Sequence, residues 1–80
     1  MDDLKYQQAL DAKQDDLNHR FIYHSPKPGQ TERYQAIRDK AKELAELIVG
    51  ETPPSREQSV ALTELETCVM WSNAAIARNE

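Results

Sequence analysis

Apolar residues recur at every third or fourth position over most of the second half of this chain. The clearest run is Tyr34, Ile37, Ala41, Leu44 and Ile48, whose 3-4-3-4 spacing draws one apolar stripe along a helix. Thr31 stands where it can cap the start, and Glu32 falls in the first turn, where the helix dipole favours an acid. Gly50 is placed to end the helix, since glycine readily takes the left-handed conformation just past a last turn. Val49 lies just off the stripe, near the turn. Two prolines in Glu51-Thr52-Pro53-Pro54 cannot extend the helix and stiffen a reversal. Ser55-Arg56-Glu57-Gln58 then reads as a capping box, with the Ser55 hydroxyl accepting from the Gln58 amide while Gln58 reaches back. Beyond it, Leu62, Leu65, Val69 and Ile76 hold the helical spacing, with Ser72 or Asn73 at the interrupted position. Two striped helices across so short a connection predict an antiparallel hairpin.

The second hairpin helix carries more apolar surface than one partner can cover. Ala61, Cys68 and Ala75 form a small-residue strip beside its main stripe, and Val60, Met70 and Trp71 point elsewhere. Residues 3–18 read as a further short helix with a weak stripe, offering only Leu4, Ala9, Leu10 and Leu17, with Phe21 just beyond, as cover. Another copy of the chain is the better cover, so the predicted fold is all-α: an antiparallel helical hairpin with a short N-terminal helix, assembling as a homo-oligomer. Residues 19–30 form the irregular stretch, because Pro26, Pro28 and Gly29 forbid regular helix and push preceding residues towards extended backbone.

Length sharpens this picture. Eighty residues make one domain at most, with a core that is marginal for a chain standing alone. Cys68 is the single cysteine, so no disulfide forms within the chain, and its place beside the stripe predicts a buried structural thiol. No apolar run approaches the roughly 20 residues of a membrane span, and the acidic start Met1-Asp2-Asp3 is unlike a signal peptide. An intracellular protein with no membrane partner is expected.

The net charge of −4 disfavours coating of duplex nucleic acid, but its distribution is uneven. Residues 19–42 gather Arg20, Lys27, Arg33, Arg38, Lys40 and Lys42 against Glu32 and Asp39, a local +4 with His19 and His24 beside it. Such asymmetry suits an anionic partner, although helix surfaces also segregate charge without one.

Catalysis has little to stand on. There is no nucleophile with a base and an orienting acid, no zinc spacing, no phosphate loop and no dinucleotide fingerprint, so neither an enzyme nor a metal or cofactor is expected. Binding has more. Phe21, Tyr23 and His24 lie within four residues, flanked by Arg20 and Lys27, and rings interleaved with cations suit stacking on bases and pairing with phosphate. On extended backbone Phe21 and Tyr23 share a side and His24 takes the other. The competing reading is that the two rings plug the open end of the hairpin. Arg38 follows the stripe residue Ile37 and has no acid three or four positions away, which leaves its charge available to a partner. Arg78 falls in the last turn, where the helix dipole alone explains a cation.

Several of these residues fall within runs that resemble a known family. Arg20-Phe21-Ile22-Tyr23-His24-Ser25-Pro26-Lys27, Tyr34-Gln35-Ala36-Ile37-Arg38, Ser55-Arg56-Glu57, Ala61-Leu62-Thr63-Glu64-Leu65-Glu66 and, most specifically, Met70-Trp71-Ser72-Asn73-Ala74-Ala75-Ile76-Ala77-Arg78 resemble the phage anti-CBASS cyclic-oligonucleotide sponges. Their helical hairpin domain is shared with sponges against Thoeris defence. The resemblance covers residues 19–79 and leaves residues 1–18 as a variable N-terminal helical extension to a ligand-binding loop and hairpin domain at 19–80.

The resemblance implies a homohexamer that holds cyclic di- and trinucleotide immune messengers intact in the host cell cytoplasm. It also implies roles: Tyr23 stacking on a base, Arg38 meeting phosphate, His24 and Lys27 lining the pocket, and Arg78 serving a second, trinucleotide site. Trp71 belongs to the motif as a packing residue. The readings that compete with a sponge are a helical interaction module using the second apolar face and a weak nucleic-acid accessory protein.

Overall fold

A computed structural model describes residues 3–80 as three helices, α1 (Asp3–Phe21), α2 (Gln30–Glu51) and α3 (Arg56–Asn79), with no strand among the described residues. The start Met1-Asp2, read above as unlike a signal peptide, lies outside the described residues. Arg33 near the start of α2 meets Glu80 just past α3, while Thr52 at the other end meets Gln58, so the two helices run antiparallel. The expected hairpin is therefore present.

Its seam is narrow. Tyr34, Ile37, Ala41, Ala45 and Ile48 of α2 are half-buried against Ala61, Leu62, Leu65 and Val69 of α3, and Ile76, at 7 % exposed, is the one buried apolar residue described. Leu44, placed in the stripe by its spacing, is exposed and Ala45 takes its place. A single partner helix covers only part of the arc that both positions occupy, and the smaller side chain permits closer approach.

Local chemistry fixes the helix ends, and three of them depart from the sequence reading. The helix α1 continues through His19, Arg20 and Phe21, carried by the Asp16–Arg20 ion pair of 3.1 Å and an Ile22 N–H bond to the Asn18 carbonyl of 3.0 Å. Nothing stops it earlier, because the first proline stands only at position 26. Phe21 therefore sits on a helix and does not alternate with Tyr23 and His24 along an extended strand of chain.

At the start of α2, Thr31 is not the cap. Gly29 is, with φ 85° and no side-chain capping bond. The Gln30 N–H bonds to the Lys27 carbonyl at 3.1 Å, which makes Lys27-Pro28-Gly29-Gln30 a type II turn, with proline and left-handed glycine at its two central positions. Gln30 then accepts from the Lys27 N–H at 3.0 Å and is 4 % exposed, the other buried residue described.

Gly50 likewise does not end α2. The helix runs to Glu51, and Thr52 turns to extended backbone because Pro53 follows it. The N–H and hydroxyl of Thr52 both donate to the Ile48 carbonyl, at 3.1 and 2.6 Å. Ser55 caps α3 as expected, accepting from the Gln58 N–H at 3.1 Å. The Gln58 side chain reaches back further than a capping box requires, donating to the Thr52 carbonyl and hydroxyl at 3.1 Å each.

The molecule measures 57 × 36 × 12 Å, so its thinnest dimension is one helix diameter. Substantial packing joins only α2 and α3, and Leu10 and Leu17 are the only half-buried positions described in α1. Val60, Met70 and Trp71 remain exposed, as their place off the seam predicts. Cys68 departs from expectation: it is exposed, as is Ala75, so of the small-residue strip only Ala61 is partly covered within the chain.

Candidate functional site

The linker of residues 22–29 between α1 and α2 holds three of the five candidate ligand residues. Its ends and the His24 ring are pinned, and the Tyr23 ring is not. Tyr23 is 81 % exposed and Phe21 80 %, so neither ring plugs the open end of the hairpin. His24 donates from Nε2 to the His19 carbonyl at 2.9 Å, and His19 donates from Nε2 to the Arg78 carbonyl at 2.6 Å. A carbonyl only accepts, so each ring carries its proton on Nε2 and a neutral ring presents Nδ1 as an acceptor. The two rings meet edge to face at 5.9 Å. Lys27 donates from Nζ to the Glu80 carbonyl oxygen.

Arg38 lies on α2, eight residues past Gln30 and about 12 Å along the axis. It has no ion-pair or hydrogen-bond partner among the described residues. Its side chain borders two shallow clefts of the hairpin, one with Gln35, Lys42, Glu66 and Met70, the other with Tyr34, Ala74 and Ala77. Asn73 lines both, and its Oδ1 is buried with no donor. An unpaired buried acceptor is costly, so Asn73 Oδ1 calls for a donor such as a water or a bound group.

Arg78 faces a third cleft, between the end of α1 and the end of α3. His19, Arg20 and Phe21 form one wall, and Trp71, Ala74 and Ala75 the other. Two guanidinium groups and two aromatic rings thus border one space. Trp71, expected to pack, is 64 % exposed there. Tyr23 lines neither of the clefts that Arg38 borders, while Ala74 lines both the Arg78 cleft and the second Arg38 cleft.

A family model matches most of the chain that carries these clefts. The model of the Acb2/Tad1 hairpin domain matches residues 13–77. The chain belongs to that family. It is the anti-CBASS and anti-Thoeris sponge family that the sequence resembles. The Acb2/Tad1 match begins within α1 and takes in Tyr23, His24, Lys27 and Arg38, while Arg78 lies one residue beyond it. Neither the curated proteins nor the solved structures contain a match to the chain.

A fourth grouping escapes sequence reasoning. Arg33 Nη1 lies 2.6 Å from Glu80 Oε1, and Gln30 Nε2 lies 3.4 Å from the same oxygen. The Arg33 hydrogen bond is the main force holding the Glu80 carboxyl below its usual range, and Glu80 in turn raises Arg33. Forty-seven residues separate the pair, beyond any local spacing rule. No group of three or more His, Cys, Asp or Glu side chains placed to hold a metal ion occurs among the described residues. No helix described is long and apolar enough to cross a membrane.

Proposed function

We propose that this protein sequesters cyclic di- and trinucleotide immune messengers without cleaving them, and so blocks CBASS-type anti-phage signalling in the host cell cytoplasm. Membership of the Acb2/Tad1 hairpin family over residues 13–77 carries the reading. Tyr23 stacks on a base, Arg38 meets a phosphate, and His24 and Lys27 line the same pocket. Arg78, with Arg20, Phe21 and Trp71 around it, takes the trinucleotide. Residues 1–18 are the variable extension of this domain, although the family match begins at residue 13 and Asp16 borders the Arg78 cleft.

The site assembles between copies, with a homohexamer as the complete form. Two observations favour assembly: Tyr23 lines neither of the clefts that Arg38 borders, and a plate 12 Å thick leaves large apolar side chains exposed. A two-fold seam places two Tyr23 rings and two Arg38 guanidinium groups around a ligand that has two bases and two phosphates. Binding without turnover needs no nucleophile or general base.

The test is a panel of cyclic di- and trinucleotides mixed with the purified protein, followed by heating and recovery of the ligand. Uptake with intact release supports the proposal. No uptake of any member defeats it, and release of cleaved ligand makes the protein an enzyme. The exposed Val60, Met70 and Trp71 favour one second reading, a helical module that docks on another protein. That reading requires stable complex formation with no nucleotide uptake.

A further inference from the structure

Three donors near the start of α2 converge on one acid. Arg33 Nη1 and Gln30 Nε2 reach Glu80 Oε1 at 2.6 and 3.4 Å, and Lys27 Nζ donates to the carbonyl oxygen of the same residue. Gln30 is the most buried side chain described, at 4 % exposed, and its own Oε1 is fixed by the Lys27 N–H. Its amide is therefore aimed before anything binds. A guanidinium fork, an ammonium and an amide make a donor set suited to a compact oxyanion, and a phosphodiester presents two non-bridging oxygens of that kind.

Glu80 fills this set only loosely. The Arg33 and Glu80 side chains are 54 and 40 % exposed, and half-exposed ion pairs are weak enough for another anion to replace the acid. Lys27 cannot meet a ligand phosphate while its ammonium is engaged by Glu80.

We infer that Arg33, Gln30 and Lys27 form an anion site that Glu80 occupies in the unliganded chain, and that a phosphate group displaces Glu80 on binding. The site stands on the geometry alone; that the incoming anion is the phosphodiester of a cyclic nucleotide rests on the sponge reading. Glu80 is then an internal competitor, and ligands must bring enough charge to displace it.

The full-length chain and its E80Q variant are titrated calorimetrically with a cyclic dinucleotide at several salt concentrations, and by NMR with inorganic pyrophosphate while the Arg33 side-chain N–H is followed. E80Q is expected to bind the dinucleotide about two- to five-fold tighter. Its salt dependence should be steeper, and the double variant E80Q/R33Q should lose the gain. Equal or weaker binding by E80Q overturns the inference, because a carboxylate that merely straps the linker in place would help binding. A gain that survives in the double variant overturns it too. If the unaltered chain takes up no cyclic dinucleotide, the sponge reading fails and the pyrophosphate arm decides alone. A larger Arg33 shift in E80Q than in the unaltered chain then upholds the anion site, and equal shifts reject it.

Discussion

Tyr23 carries a large ring that the chain leaves almost wholly in water, at 81 % exposed. Removing it should therefore cost the fold little. In Tyr23→Ala the unfolding free energy, read from thermal melts, is expected to change by no more than about 0.5 kcal/mol. Cyclic dinucleotide uptake should weaken five-fold or more, since stacking on a base is worth about 1–3 kcal/mol. Uptake that stays full removes the stacking role. Glu80 gives a second residue-scale expectation. Its carboxyl titrates below the ordinary value of about 4.3, so its pairing with Arg33 is complete above that pH and is lost as pH falls through the lowered value. An NMR titration should show the Glu80 midpoint rising in Arg33→Gln. The contrast between Ser55 and Glu80 shows what sequence can reveal at this scale. Ser55 bonds an amide three residues on, so its role follows from spacing; Glu80 bonds side chains 47 and 50 residues away, and only the fold brings them together.

At the scale of elements, the two glycines separate sequence expectation from structure most sharply. Gly50 was placed at a left-handed helix end, yet Gly29 is the only residue described with positive φ. Gly50 lies inside α2, and a Cβ there would meet nothing within 4 Å. Gly50→Ala should therefore stabilise the chain by about 0.5–1 kcal/mol, and Gly29→Ala should destabilise it by about 1–2 kcal/mol. Urea unfolding of both variants checks the pair, and a destabilised Gly50→Ala would restore the glycine end. The hairpin itself was legible because Pro53, Pro54 and the Ser55 cap are local signals and two stripes flank them. The extent of α1 was less so. No stop signal exists between Asn18 and Phe21, and the irregular chemistry of 22–29 was assigned three residues too early. The stripe was right in direction and wrong at Leu44, because hydrophobicity does not say how wide a seam one partner helix will cover.

The whole molecule is unusually open for its mass. Its radius of gyration is 18.6 Å, against about 12 Å for a compact chain of 80 residues. It exposes 6654 Å², where a folded monomer of 9.2 kDa would expose about 4,900 Å², an excess of about 1,700 Å². That excess is about twice the roughly 800 Å² that each partner buries in a standard protein–protein interface. Sedimentation should accordingly give a mass that is a multiple of 9.2 kDa, with a melting temperature that rises with concentration. Leu44→Glu, set in the open apolar groove beside Cys68 and Val69, should shift the protein towards single chains. An unchanged mass in that variant would place the contact elsewhere. A plate one helix thick has consequences for how such a protein evolves. It has two sides and almost no inside, with Ile76 as nearly its whole interior. The usual division, in which hidden positions are fixed and visible ones drift, has no purchase here. Under the proposed assembly, constraint follows the meeting of copies, so the least replaceable side chains would include ones that look most disposable in a lone chain. Substitution tolerance mapped along α3 would then trace the assembly rather than the fold.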